Sequence, residues 1–150
     1  MTAQTNRLLI PAMGGLYTRL SPYSYALIRF ATGAILLPHG VQKLLTGSIT
    51  RMAANITAKG LPLGEVLAYL AFATESAAAL CLAIGLFTRV AATMIGVHML
   101  VIICFFQWQN GYFWTKGGIE FPLLWLALCI AIFFRGGDRC AVDNLIGREV

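Results

Sequence analysis

Residues 64–108 decide the fold: GEVLAYLAFATESAAALCLAIGLFTRVAATMIGVHMLVIICFFQW. Two long apolar runs, at about 66–87 and 90–108, are joined by the tight turn from Gly85 to Arg89. A helix that crosses a bilayer needs about 20 mostly apolar residues, and each run has roughly that length. Neither run alternates apolar with polar residues, as a barrel strand would. The stretch therefore predicts two membrane-spanning helices.

Two further apolar runs lie outside this stretch, at about 25–45 and 118–134. Hydrophobic residues make up 59% of the 150-residue chain and charged residues 11%. A soluble domain carries about 25% charged residues, so this chain has too few to coat a surface exposed to water. We therefore predict an all-α fold, a bundle of four transmembrane helices, which forms a single domain over residues 1–150.

The basic residues predict the orientation in the membrane. The formal net charge is +5, and most of it flanks the apolar runs. No dense basic stripe is present, so nucleic acid is not an expected partner. Six basic residues would share the side of the two termini, and three would lie on the other side. The first group is Arg7, Arg19, Arg89, Arg135, Arg139 and Arg148, and the second is Arg51, Lys59 and Lys116. Because lysine and arginine favour the cytoplasmic side, we expect both termini in the cytoplasm and the chain in the cell inner membrane.

Two of the segments that connect the apolar runs have informative sequence patterns. Residues 49–60 place four apolar side chains on one helical face, which suits a helix that lies along the membrane interface, although an ordinary loop is an open alternative. These side chains are Ile49, Met52, Ala53 and Ile56. The later loop is polar and aromatic together, as expected for the head-group zone. Its aromatic residues are Trp108, Tyr112, Phe113 and Trp114.

Six ionisable side chains lie in or near the predicted spans: Arg29, His39, Lys43, Glu75, His98 and Glu120. A charge at the bilayer centre costs at least about 2.5–3.5 kcal/mol, so such side chains normally face inward and pair. The four formal charges cancel, two positive against two negative. A ligand or proton site is the leading interpretation, and ion pairs that only fix helix register are the alternative.

The spacing on the first predicted helix brings three of these side chains to one face. At about 100° per residue, Arg29, His39 and Lys43 fall within an arc of roughly 80°. On the second helix, Glu75 shares its stripe with small residues, which lets a neighbouring backbone approach closely. We expect Lys43 to pair with Glu75 or Glu120. We also expect Arg29 to pair with Glu75.

The histidines leave the cofactor unknown. His39 and His98 are suitable haem ligands, but their estimated depths differ by several ångströms. With Glu75 and Glu120 they could also hold a metal ion, yet no tight spacing motif is present. Neither haem nor a metal is therefore expected. For His98 alone, a hydrogen-bonded core histidine is the alternative to a ligand contact.

The cysteines do not predict a redox site. Cys81, Cys104 and Cys129 lie inside apolar runs, and Cys140 follows the last one. The chain contains no C-x-x-C pair. We therefore expect buried, unpaired thiols.

The order and spacing of these features resemble the DoxX family of small membrane proteins over about Leu27 to Asp143. The resemblance rests on Arg29, the block His39 to Lys43, Gly60-Leu61-Pro62, Glu75, Gly85 to Arg89, Gly118-Ile119-Glu120, Arg135 to Asp138, and Asp143. Arg135 before the closing glycines departs from the pattern. The resemblance implies a four-helix membrane fold. It also implies an association with quinone-linked oxidoreduction, since relatives look like membrane subunits of thiosulfate:quinone oxidoreductase.

By the same resemblance, the motif positions are Arg29, His39, Lys43, Glu75, Arg89, Glu120 and Asp143. Arg89 and Asp143 would lie at the cytoplasmic end of the bundle, where we expect them to form a structural pair. Distant relatives look like assembly factors, so the resemblance says more about fold than about reaction.

The residues favour a quinone- or lipid-like ligand inside the bundle. Lys43 and His39 would hydrogen-bond a ligand carbonyl, with Arg29 and His98 as further contacts. Glu75 or Glu120 would exchange protons with the ligand. The chain shows no electron carrier of its own, so a partner protein is expected to carry the redox centre. A non-enzymatic assembly or scaffold subunit is the alternative, and a small transporter or proton pathway, formed by a homo-oligomer, is a third.

Overall fold

The computed structural model describes residues 8–147, which are helical wherever they are regular, without a strand. Arg7 and Arg148, which entered the predicted charge count, lie outside the described residues. The α-helices are α1 (Gly14–Ala34), α2 (Leu37–Thr46), α3 (Ile49–Ala58), α4 (Gly64–Ala73), α5 (Ala79–Ile84), α6 (Thr88–Val101), α7 (Glu120–Arg135) and α8 (Val142–Ile146). Two π-helical segments, Thr74–Ala78 and Ile102–Gln107, continue α4 and α6.

The stretch at 64–108 forms two long helices, as the sequence predicts. Residues Gly64–Ile84 make one continuous helix of 21 residues, and Thr88–Asn110 make a second of 23 residues. Both are long and apolar enough to cross a bilayer. Gly85 adopts a φ of 75°, a left-handed conformation that ends the first helix. These two helices are the only ones among residues 8–147 that meet the criteria of length and apolar composition.

The first predicted span, 25–45, is not one helix. Helix α1 ends at Ala34 and α2 begins at Leu37, and a two-residue turn, Ile35 and Leu36, separates them. Pro38 lies in the first turn of α2, where its missing N–H and fixed φ are tolerated. Arg29 is buried whereas His39 is exposed, so the prediction that these residues share one helix face with Lys43 is wrong.

The fourth predicted span, 118–134, is occupied by α7. This helix has 16 residues, equivalent to about 24 Å, whereas the hydrocarbon core of a bilayer is about 30 Å thick. Its exposed side chains are nevertheless mostly apolar, as are those of the helices around it. Examples are Leu27, Phe30, Val66, Val97, Leu124 and Phe134. Apolar surface of this extent needs contact with lipid or another protein.

Small residues let the helices of the core pack closely. The core is built from Ala79, Leu82, Ala92, Ile95 and Ile132, contributed by α5, α6 and α7. Helix α1 packs on α5 with a glycine, Gly33, at the contact. A Cβ atom at Gly33 would overlap the carbonyl oxygen of Ala79 and approach the Ala83 backbone nitrogen to 2.6 Å. Backbone therefore lies directly against backbone at this crossing.

We expect Gly33→Val to lower the free energy of unfolding by about 2–3 kcal/mol, because backbone atoms cannot move aside as a flexible side chain can. Gly15→Val on the same helix is the matched control, since a Cβ there meets nothing within 4 Å. Reversible unfolding of the purified protein in detergent measures both. Equal stability of the two variants would contradict the proposed close contact between α1 and α5.

The four cysteines are free thiols with different surroundings. Cys129 is buried and Cys81 is half-buried. Cys104 and Cys140 are exposed. The prediction of unpaired thiols is confirmed, but burial is correct for Cys129 and wrong for Cys104 and Cys140.

Candidate functional site

Glu75 is the centre of a buried cluster of ionisable side chains. It lies in the π-helical segment Thr74–Ala78 and is only 5% exposed. Single π-helical turns inside α-helices occur frequently at functional sites. Its carboxylate oxygen Oε2 accepts a hydrogen bond from Lys43 Nζ, and Oε1 lies 3.1 Å from His98 Nε2. The predicted contact between Lys43 and Glu75 is therefore present, and His98 joins it.

Three elements contribute to this Lys43–Glu75–His98 cluster, namely α2, the π-helical segment and α6. Gly40 lets α2 reach the segment, because a Cβ there would lie 2.9 Å from the Glu75 carbonyl oxygen. An ionised carboxylate only accepts hydrogen bonds, so His98 donates its Nε2 proton to Glu75. The carboxylate is thus bonded at both oxygens. Such pairing is what a charge needs in a low-dielectric interior.

An open cavity of about 710 Å³ lies beside the cluster, between α3, α4 and α6. Lys43 and His98 line it, while Glu75 stands behind them. Most of the remaining wall is apolar and includes Leu67, Leu70, Val97 and Val101. Binding sites for small molecules commonly have volumes of about 300–1,000 Å³, apolar walls and a few fixed polar groups. The cavity has each of these properties.

Arg29 does not reach Glu75. It is 2% exposed, and its Nη1 donates to the carbonyl oxygens of Leu82, at 2.8 Å, and Ala83, at 3.0 Å. Its Nη2 donates to the Cys140 carbonyl oxygen at 2.9 Å. The last carbonyls of a helix lack intrahelical partners and carry partial negative charge, so the end of α5 suits a guanidinium group. The predicted pair between Arg29 and Glu75 is therefore wrong.

Asp143 caps the beginning of α6. Its Oδ1 accepts from the Phe87 backbone N–H at 2.6 Å, and its Oδ2 accepts from the Thr88 hydroxyl at 2.6 Å and backbone N–H at 3.0 Å. Burial raises the pKa of the carboxyl, but the hydrogen bonds from Thr88 and Phe87 and the charge of Arg29 lower the pKa more strongly, leaving it below its ordinary value.

Arg89, the partner predicted for Asp143, donates instead to the Phe133 carbonyl oxygen at 2.8 Å. The residues directly before it, Phe87 and Thr88, supply the donors to Asp143 because free N–H groups occur in the first turn of a helix. The predicted pair between Arg89 and Asp143 is thus replaced by a helix cap. The partner predicted for Asp143 was therefore wrong.

Two other predicted site residues lie away from the cluster. Glu120 begins α7, and its Oε2 accepts from the Trp114 backbone N–H at 3.1 Å, closing the aromatic loop. His39 lies on the exposed face of α2. The alternative pair between Lys43 and Glu120 is therefore wrong. Within the described part of the chain, no three His, Cys, Asp or Glu side chains gather closely enough to hold a metal ion.

Sequence reasoning missed several polar residues in the cavity wall, among which Arg51, Asn55 and Gln107 have the largest side chains. Arg51 and Asn55 lie on α3, which is helical as one of the two interpretations of residues 49–60 required. The helical pattern of residues 49–60 could have indicated them, because it places Arg51 and Asn55 beside the apolar face. Only the apolar face was interpreted.

Comparison with known proteins gives a family and one uncharacterised relative. The model of a family described as DoxX matches residues 24–108, more than half of the chain. The chain is similar to an uncharacterized protein of Haemophilus influenzae, with 29% identity over 126 residues, which cover 82% of this chain and 90% of that protein. No solved structure matches.

Proposed function

The chain belongs to the DoxX family and is an integral membrane protein, and we propose that it binds a quinone- or lipid-like ligand as a subunit of an oxidoreductase complex. The observation that carries the proposal is the position of Lys43 and His98 in the wall of the 710 Å³ cavity, with Glu75 directly behind them. A purely structural ion pair has no need of a cavity beside it.

The polar groups in the wall suit a carbonyl oxygen of the ligand. The Lys43 ammonium group has three N–H donors, and Glu75 occupies one of them. The remaining two can donate to a ligand oxygen in the cavity. The apolar wall formed by α4 and α6 matches a ring and an alkyl chain. A quinone supplies this combination of carbonyl oxygens and apolar carbon.

Proton transfer is the chemistry that this cluster offers. Reduction of a quinone to a quinol consumes two electrons and two protons. In the proposed complex, a protein partner supplies the electrons, and Lys43 or His98 passes protons to the two ring oxygens. Water that enters the open cavity supplies the two replacement protons, and Glu75, bonded to both Lys43 and His98, relays them. His39 and Glu120 lie outside the cavity lining and take no part in this step.

We also propose that the chain crosses the cell inner membrane four times, with both termini in the cytoplasm. The support is that α1 packs against α5 and α7 against α6, which are parts of the two long helices, and that α1 and α7 present apolar side chains outward. The distribution of basic residues supports the orientation. A reporter fused to Val150 that is active only outside the cytoplasm would contradict it.

The ligand site is tested by measuring the binding of a decyl benzoquinone to the protein in lipid nanodiscs. We expect Lys43→Gln and His98→Gln each to weaken binding by about tenfold, because each removes a hydrogen bond to the ligand. Lys59→Gln is the control and should bind like the wild type, since Lys59 is exposed and outside the cavity lining. Unchanged quinone binding in the two site variants would remove the proposal. A fall in protein level with normal quinone binding would favour the scaffold function.

A further inference from the structure

The cavity wall has an unbalanced charge. Its lining includes the basic side chains Lys43, Arg51 and His98, and no Asp or Glu side chain among the described residues. Glu75, behind the wall, is bonded to Lys43 and His98. Arg51 is therefore the basic group in excess, and it forms no ion pair with a described residue.

Three polar residues of the cavity lining lie together at helix α3. Arg51 and Asn55 are four residues apart on α3, so their side chains are neighbours on one helix edge, and Ser48 precedes them by one turn. Met52 and Ile56, on the inner side of the same helix, continue into the apolar wall. The α3 edge of the cavity is thus cationic and hydrogen-bonding, while the walls that α4 and α6 form are mostly apolar.

Gln107 adds a further polar group to the lining. Its carboxamide oxygen is buried without a hydrogen-bond partner among the described residues. A buried acceptor that has no partner gains from a donor group on a ligand. The lining therefore offers donors from Arg51 and Asn55 and an unsatisfied acceptor from Gln107.

From this charge pattern we infer that the cavity selects an amphiphile whose head group is negatively charged, with Arg51 and Asn55 as the head-group contacts. The guanidinium group of Arg51 binds a carboxylate, a phosphate or an ionised ring hydroxyl through paired N–H donors. The alkyl part lies against α4 and α6. This inference rests on the proposed ligand site and specifies the ligand class. An ionised hydroxyquinone and an acidic lipid share this chemistry.

The test compares two probes that differ in charge and by one methyl group: a long-chain hydroxynaphthoquinone that is ionised at neutral pH, and its neutral methyl ether. Binding is measured in nanodiscs of phosphatidylcholine, so that the bilayer supplies no acidic lipid. We expect the wild-type protein to bind the ionised probe about tenfold more tightly. Arg51→Gln should reduce the preference to about twofold, and it should fold normally because Arg51 is exposed. Lys59→Gln, on the residue after α3, should keep the full preference.

A fatty acid of matching chain length distinguishes the two sources. Displacement of the ionised probe by the fatty acid supports an acidic lipid, and failure to displace it supports an ionised quinone. Equal binding of both probes to the wild-type protein would overturn the charge preference but leave the ligand site intact. Binding of neither probe would overturn both. An unchanged preference in Arg51→Gln would also overturn the assignment of Arg51.

Discussion

Glu75→Gln is expected to lower the free energy of unfolding by about 3 kcal/mol or more, because it leaves the Lys43 ammonium group without its buried counter-charge. The substitution keeps the shape of the side chain, so packing changes little. His98 loses an ionised acceptor in the same step, since Glu75 Oε1 lies 3.1 Å from its Nε2. Reversible unfolding in detergent, with the wild-type protein as reference, measures the loss.

A double variant separates the effect of the lost charge from any effect on packing. The double variant Lys43→Met with Glu75→Gln removes both formal charges of the pair, so it should recover more than half of the lost stability. Glu65→Gln is the matched control, and it should change stability by less than about 0.5 kcal/mol because Glu65 is exposed. Equal losses in the double variant and in Glu75→Gln would show that the charge of Lys43 is not the cause.

The sequence predicts the long helices well because membrane-spanning segments have a simple physical requirement. The two apolar runs at 64–108 needed only length and composition to be recognised. The break between Ala34 and Leu37 was harder to predict. A proline such as Pro38 can loosen a continuous helix or start a new one, and the neighbouring residues do not distinguish these outcomes.

The candidate site was predicted in part, because the burial of a charge also has a simple physical requirement. Glu75 was one of the two partners predicted for Lys43, because a buried charge needs a counter-charge, which restricts the choice to a few side chains. Arg29 was misassigned because its acceptors are backbone carbonyl oxygens at the end of α5, and every residue has a carbonyl. Arg51 and Asn55 were missed because polar residues beside an apolar helix face normally meet water.

The second large effect is expected at Asp143, the residue that caps α6. Its pKa is lowered in the folded protein, so the folded state favours the ionised form more than the unfolded state does. The stabilisation is complete above the pKa of the unfolded state, about 3.9 for an aspartate. It is lost as the pH falls from there through the lower pKa of the folded state. Unfolding measured as a function of pH should therefore show stability falling in this acidic range.

Asp143→Asn tests this assignment. At neutral pH it should cost about 2 kcal/mol or more, because the side chain is 2% exposed and its three donors from Phe87 and Thr88 would lose an anionic acceptor. The variant should also lose much of the acid dependence, whereas the control Glu65→Gln should retain it. Thr88→Val removes one donor, which raises the folded-state pKa of Asp143. The free energy of unfolding of the Thr88→Val variant should therefore lie between those of the wild-type protein and Asp143→Asn. An acid profile that is the same in Asp143→Asn and wild type would assign the acid sensitivity to another carboxyl group.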